Sequence, residues 1–509
     1  MHKRFSQHRF DNGLTVVLEQ MPQAISTAVG IYIKAGARNE EPAQDGISHL
    51  LEHMVFKGTQ TLNCRELNRA FDELGAHYNA CTGWEETCFF AWVLKNDLPR
   101  VLELLAGMLS PVLPEAEFAN EKKVILEEIA RNRDQADHQV FEEAMRIAFA
   151  GHRLSSNVLG TEETIGPLTR EQVQAYLQAR YIPVNTVLFA CGNIDEEVLL
   201  KEVEKFWGGR GRGKSEAPAP PPVFHPGQAL LEKKGLEREH LVLLWPGPAL
   251  ESRANIAASL LGAVLGDDRN SRLYWALRHT GLAEEAAAGY WGFSDAGVFA
   301  AQAACDPAKA KKVLEILKRE AAGLKDGIRE EELQRAKNRI RTSLVFSAET
   351  PFDRFRQLMQ QWAVRRELLT TAELVDWVEQ ITVGELNALL QQFPLDSDGV
   401  KVLLGPPKTG LNAESGKLKA EKTATPAKKK ATPAAPAPKD KAKKQGARAV
   451  LPPLPRGGRG GISPTKKKAA PAPVKKPNKP GKSKPVPAKG GKAGKGSKGD
   501  KGGKKNKRL

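Results

Sequence analysis

Residues 46–59 read Gly46-Ile-Ser-His49-Leu-Leu-Glu52-His53-Met-Val-Phe-Lys-Gly-Thr59, and the spacing inside them governs how the rest of the chain is understood. Positions three and four apart share one face of a helix, so a helix here turns both imidazoles and the Glu52 carboxylate toward one point. Neutral imidazole nitrogens bind zinc at about 2.0–2.1 Å, and a catalytic zinc takes three protein ligands and keeps one position open. Two histidines from one helical turn therefore leave a third ligand to be found elsewhere. Glu52 sits where it can accept a proton from an attacking water and return it to a leaving amine. With ten His in 509 residues, a chance His-x-x-Glu-His arises in roughly one or two such chains per hundred. The alternative is a solvated helix face, and context has to decide.

That context is a second helix. After Pro114, the stretch Glu115 to Arg133 carries Phe118, Val124, Ile125 and Ile129 at helical spacing. It also holds three candidate carboxylates, Glu121, Glu127 and Glu128. The seven-residue step from Glu121 to Glu128 keeps those two on one face, whereas Glu127 is turned away by about 100°. Glu128 is thus the candidate third ligand, and Glu121 is placed to orient a ligand by hydrogen bonding. Acidic residues on helices usually just face water, so spacing alone leaves this choice open.

Together these stretches resemble the inverted-zincin metallopeptidases of the pitrilysin, insulysin and mitochondrial processing peptidase family, whose signature is His-x-x-Glu-His. The likeness covers roughly residues 6 to 405. Glu128 lies 75 residues past His53, inside Glu121-Lys-Lys-Val-Ile-Leu-Glu-Glu128-Ile, and the resemblance implies that it completes the zinc site with Glu121 in support. It also makes the segment His77-Tyr-Asn79-Ala80-Cys-Thr-Gly-Trp-Glu-Glu-Thr-Cys-Phe-Phe90 an edge-strand region, in which Asn79 and Ala80 bind the substrate backbone. An extended peptide added to an exposed sheet edge gains affinity from main-chain hydrogen bonds with little demand on its sequence.

Strands and helices alternate through both halves. Asn12 to Glu19 is a turn feeding a β-branched strand, and Ser26 to Ala35 is another. Further on, His240 to Trp245 and Val298 to Ala304 read as strands, with Ile256 to Leu265 and Glu330 to Phe346 as helices. The fold class expected is α+β, with two related α/β-sandwich domains in a clamshell. Residues 1–207 carry the metal motif and residues 225–405 form an inactive-type counterpart. Residues 208–224 join them through Gly208-Gly-Arg-Gly-Arg-Gly-Lys214 and Ala217-Pro-Ala-Pro-Pro-Pro222, flexible first and stiff second. No His-x-x-Glu-His follows residue 53, so one active site per chain is expected.

One departure stands out. The family's peptide-cutting members often carry an Arg and a Tyr, seven residues apart, that donate hydrogen bonds to the substrate oxygen as it becomes negative. Here Ser271 to Glu284 resembles that region, but Glu284 stands one residue early in place of the Tyr. An ionised carboxylate cannot donate to an oxyanion. Arg278 remains a candidate, with zinc alone, Tyr274, Tyr290 or a partner subunit as the other sources of that stabilisation.

The formal charge of +17 is unevenly spread. Between Leu411 and Leu509, 30 Lys and Arg face 4 Asp and Glu, which puts that stretch at +26 and the preceding 410 residues at −9. Residues 406–509 are rich in Lys, Pro, Gly and Ala, and 411–509 has no aromatic residue. Such a segment buries too little apolar surface to offset chain entropy and is expected to be disordered. Any partner would be a nucleic acid, an acidic membrane or another polyanion, met through charge without base stacking. The five cysteines, at 64, 81, 88, 191 and 305, form no Cys-x-x-Cys pair and read as reduced, packed thiols. With no export signal and no run of eighteen apolar residues, a cytoplasmic location is expected.

The sequence thus points to a zinc endopeptidase with His49, His53 and Glu128 on the metal and Glu52 as base. Two other readings stand beside it: a non-catalytic homologue serving as scaffold or partner subunit, and a polyanion-binding protein acting through its tail. With only two such domains in the chain, a closed chamber needs a homodimer or a heterodimer with a related subunit.

Overall fold

A computed structural model describes residues 5–215, 220–267, 269–365 and 368–407. The segment 408–509, with its expected disorder and polyanion contact, lies outside the described residues. Two sheets organise the remainder. The first holds β1 (Phe5–Arg9), β2 (Thr15–Gln20), β3 (Ser26–Ile33), β4 (His77–Thr82), β5 (Thr87–Leu94) and β6 (Thr186–Gly192), in the order β1-β2-β6-β3-β5-β4. Only the β2–β6 pair is parallel. All seven residues of β6 are buried, as its near-continuous apolar run requires of a strand covered on both faces. At the other extreme β4 is an edge, so one row of its backbone groups is free to pair with an incoming chain.

Among the described residues this half has the α-helices α1 (Ile47–Met54), α2 (Cys64–Glu73), α3 (Leu98–Met108), α4 (Glu115–Arg133), α5 (Ala136–Ala148), α6 (Glu162–Ile165), α7 (Arg170–Arg180) and α8 (Glu196–Val203). Capping boxes start α2 at Asn63 with Glu66 and α7 at Thr169 with Gln172. Helices α1, α3, α4 and α7 pack through Leu50, Leu105, Ile125 and Val173 on the face of the sheet that displays Val29, Ile31 and Ala80.

The second half has β7 (Gly227–Glu232), β8 (Glu239–Gly247), α9 (Ala254–Gly266), β9 (Glu285–Gly292), β10 (Gly297–Cys305), α10 (Ala310–Ala322), α11 (Glu330–Phe346), α12 (Pro351–Arg365), α13 (Thr371–Gln380), α14 (Val383–Gln392) and β11 (Val400–Gly405). Its strand order, β7-β11-β8-β10-β9, with the single parallel pair β7–β11, repeats the order β2-β6-β3-β5-β4 of the first sheet. Helix α9 takes the position of α1 in that repeat but carries no histidine. The α+β class with two like sandwiches is therefore what the chain adopts.

Each half also lends a helix to the other. Helix α5 packs Val140, Ala144 and Ala148 against Val242, Leu244, Val400 and Val402 of the second sheet. In return α12 lays Phe355, Leu358 and Trp362 on Val17, Ala28, Val187 and Phe189 on the back of the first. Burying side chains of this size contributes about 1.5–3 kcal/mol each. At the centre of that contact Arg354, fully buried, pairs with the equally buried Glu19, and it donates further to Gln357 Oε1 at 2.6 Å and Leu369 O at 2.7 Å. The glycine-rich start of the expected linker is also held. Arg210 donates to Ala106 O at 2.9 Å and Ser110 Oγ at 3.1 Å, satisfying acceptors around the end of α3.

Candidate metal centre

Helix α1 is short, and every one of its eight residues is buried, which rules out a solvated helix face. It is entered through Gly46 at φ 89°, where an added Cβ would lie 2.5 Å from Leu159 O and 2.6 Å from Ile165 Cδ1. Only glycine fits that turn. The first amides of the helix are met by Glu40, whose carboxylate accepts from Gly46 N at 2.8 Å and Ser48 N at 2.9 Å. Burial pushes the Glu40 carboxyl up to about 7 against the pull of these bonds. Ser48 Oγ lies 2.7 Å from Tyr176 Oη on α7. The helix is thereby fixed from both sides before any ligand is considered.

Along α1, His49 and His53 lie one turn apart in an edge-on arrangement, with ring centroids at 4.6 Å. Opposite them α4 presents Glu128, whose Oε2 is 3.9 Å from His49 Nε2 and 3.9 Å from His53 Nε2. The three ligand atoms all lie within 4.8 Å of one another. That spacing fits His49, His53 and Glu128 as the residues that would hold a zinc ion, which would take three protein ligands and leave one position open. The donors also suit a cation: both nitrogens of His49 and Nε2 of His53 are buried without a hydrogen-bond partner among the described residues. Unpaired buried polar atoms are costly unless something binds them. Burial, with His53 close by, holds His49 well below the usual imidazole range, so it remains the neutral base a metal needs.

Glu121 lies one face-repeat before Glu128, buried with it, whereas Glu127 is exposed. Its Oε2 is 3.1 Å from His53 Nδ1 and its Oε1 is 2.7 Å from Lys57 Nζ. Burial raises this carboxyl, but the bonds from His53 and Lys57 outweigh it and bring it to about 2. A permanently charged acceptor on Nδ1 keeps the proton there and leaves Nε2 to face the cluster.

Glu52 shares the helix face with both histidines. Its Oε2 accepts a hydrogen bond from Thr82 Oγ1, while Oε1 is buried without a hydrogen-bond partner among the described residues. Burial raises its carboxyl to about 7, opposed by the nearby His53 and by Thr82. A carboxyl that titrates near neutrality can both take and return a proton.

The edge strand β4 supplies the remaining wall. Asn79 is exposed on it and Ala80 buried, and Asn79 Oδ1 accepts from Ala80 N at 2.9 Å. Thr82 and Lys57 went unnoticed in the sequence, although each carried a signal. Thr82 follows Ala80 by two and so shares its face; Lys57 follows His53 by four.

The residues considered for the oxyanion are scattered. Arg278 ends a single π-helical turn, Tyr274–Arg278, and its guanidinium lies over the Tyr274 ring, 5.7 Å from the centroid. Glu284 pairs with Arg238 at the surface. The Tyr290 hydroxyl donates to Pro248 O at 2.7 Å. The halves do meet beside the metal cluster: Arg38 bonds Glu85 at 2.7 Å and pairs with Asp295, and Glu85 accepts from Ser294 N at 2.8 Å.

Residues 15–162 match the family model described as Insulinase (Peptidase family M16), and residues 167–340 match that of the Peptidase M16 inactive domain. An uncharacterized zinc protease of Bacillus subtilis is 31% identical over 386 residues, covering 75% of this chain and 94% of the relative. One from Mycobacterium leprae is 31% identical over 400 residues, covering 77% and 89%. Among solved structures, a protease from Helicobacter pylori superposes with a TM-score of 0.72 at 23% identity, over 79% of this chain and 99% of that one. A peptidase M16 inactive domain from Pseudomonas fluorescens gives 0.73 at 19%, over 80% and 99%. These two similarities concern the fold.

Proposed function

The chain belongs to the M16 peptidase family, and on that premise we propose that it is a zinc-dependent endopeptidase acting on peptides or unfolded polypeptides. The observation that carries this is the convergence of His49, His53 and Glu128, all buried, on one point beside the free oxygen of Glu52. Bound there, zinc would acidify a water and polarise the scissile carbonyl. The side chains supply the rest. Glu52, held by Thr82, takes the proton of the attacking water through Oε1 and passes it to the leaving amine. Glu121 and Lys57 fix the tautomer of His53. Asn79 and Ala80 receive the substrate as an added strand along β4, so the substrate must be extended.

The working organisation is a metal-bearing half, 1–207, a connector, 208–224, and a half without metal ligands, 225–405, with one zinc per chain. A second chain closes the chamber, as a homodimer or with a related subunit, and the site of action is the cytoplasm. No helix among the described residues is long and apolar enough to cross a membrane. Arg278 is retained as an oxyanion donor only in a closed, substrate-bound form. The test is hydrolysis of an internally quenched peptide before and after chelation. Activity lost to a chelator and restored by one equivalent of zinc supports the proposal; a chain that binds zinc yet cleaves no unfolded polypeptide is a scaffold or partner subunit instead.

A further inference from the structure

Cys81 and Cys88 stand directly opposite one another on β4 and β5. Gly83 N donates to Glu86 O at 2.8 Å at the start of this hairpin, and the alternation of an antiparallel ladder makes 81 and 88 a hydrogen-bonded pair, with Cα atoms about 5.5 Å apart. That is close to the commonest Cα separation in disulfides, about 5.5–6 Å. Both side chains lie on the back of the sheet, in the cluster under α12, because Ala80 points to the front and successive residues alternate. Cys88 is buried, Cys81 is partly exposed, and both are free thiols.

We propose that Cys81 and Cys88 are a redox modification site: a vicinal dithiol that peroxide converts to a cross-strand disulfide at the substrate-pairing edge. Cys81, the reachable sulfur, attacks the peroxide as thiolate, breaking the O–O bond to give a sulfenic acid and hydroxide. Cys88 then attacks the Cys81 sulfur, forming the S–S bond and releasing the sulfenic oxygen as water with the Cys88 proton. Two thiols lose two electrons in all, and the peroxide is reduced to water. Directly opposed Cβ atoms lie about 4.5–5.5 Å apart, against about 3.5–4.5 Å in a relaxed disulfide. The bond therefore forms under local strain and is readily reduced, the behaviour of a regulatory rather than a structural disulfide. It ties to β5 the strand that carries Asn79, Ala80 and Thr82, from the face opposite the Glu52 contact.

This chemistry does not depend on the hydrolytic reading, and its test does not use activity. The full-length native chain is treated with hydrogen peroxide in the presence of dimedone, then alkylated and mapped by mass spectrometry. Expected are a peptide linking Cys81 to Cys88, loss of two of the five thiols, full recovery with dithiothreitol, and slowed amide exchange across 77–82. In Cys88→Ser the Cys81 sulfenic acid is expected to persist and take up dimedone. The proposal is overturned if wild-type Cys81 is trapped by dimedone while Cys88 stays a thiol. It is equally overturned if Cys64 oxidises while the pair remains reduced.

Discussion

Thr82 donates its hydroxyl hydrogen to Glu52 Oε2, a contact between the substrate-pairing edge strand and the carboxylate that lies beside the two histidines. One oxygen of Glu52 is thereby anchored, and the other is left facing the metal cluster without a partner among the described residues. The strand that receives the peptide and the group that moves the proton are thus joined by one hydrogen bond, so strand docking and base positioning share a single geometry.

Replacing that hydroxyl tests the link. Thr82→Val is expected to lower kcat about tenfold, the loss of one buried hydrogen bond to a charged group, with KM little changed, whereas Thr82→Ser restores the rate. Steady-state kinetics on a quenched peptide checks the split; equal losses in the Val and Ser variants would mean the hydroxyl does not position Glu52.

Support of the metal ligand is measurable without turnover. Glu121→Gln and Lys57→Met each disturb the charged acceptor on His53 Nδ1. Each is expected to weaken zinc binding by about 10- to 100-fold, read by competition with a chromogenic chelator. Unchanged affinity in both would remove Glu121 from its supporting role.

The exchanged helix α12 has an energetic signature. Arg354→Met removes the guanidinium that pairs with Glu19 in a site that is 0% exposed, and is expected to cost about 3–5 kcal/mol in urea unfolding. The double variant with Glu19→Leu should recover a large part of it. A single variant as stable as wild type would show that the pair is not buried as described.

Glu40 gives a pH dependence whose sign is fixed. Its folded-state pKa is raised to about 7 from 4.5, so between those values the unfolded chain has released the proton and the folded chain has not. Raising pH through that window therefore favours unfolding. In chelator-treated protein, wild type is expected to lose a few kcal/mol relative to Glu40→Gln between about pH 4.5 and 7. Parallel stability curves for the two would contradict it.

Much of this was legible in the sequence because it was local. Pro114 and the apolar spacing gave α4 its bounds, Glu115–Arg133, and the seven-residue step put Glu121 and Glu128 on its buried face. The His49–His53 spacing required no more than one helical turn. What could not be read depends on contacts between distant segments. Glu19 and Arg354 are 335 residues apart, and neither neighbourhood announces the other. The helices exchanged between halves, α5 and α12, look like any amphipathic helix until the sheet each covers is known. Arg210 sits in a glycine-rich run that reads as flexible, yet its side chain closes the end of α3. The direct opposition of Cys81 and Cys88 became visible only with the hairpin register.

Most direct of all is a comparison of wild type with Glu52→Gln, scoring bound zinc and peptide hydrolysis on the same samples. The amide fills the same space but cannot accept the proton. The expected result is about one zinc per chain in both proteins and a rate in the variant lower by about 10²–10⁴-fold. A Glu52→Gln protein that binds zinc and cleaves peptide at the wild-type rate would contradict the assignment of the base, and with it the proposed reaction.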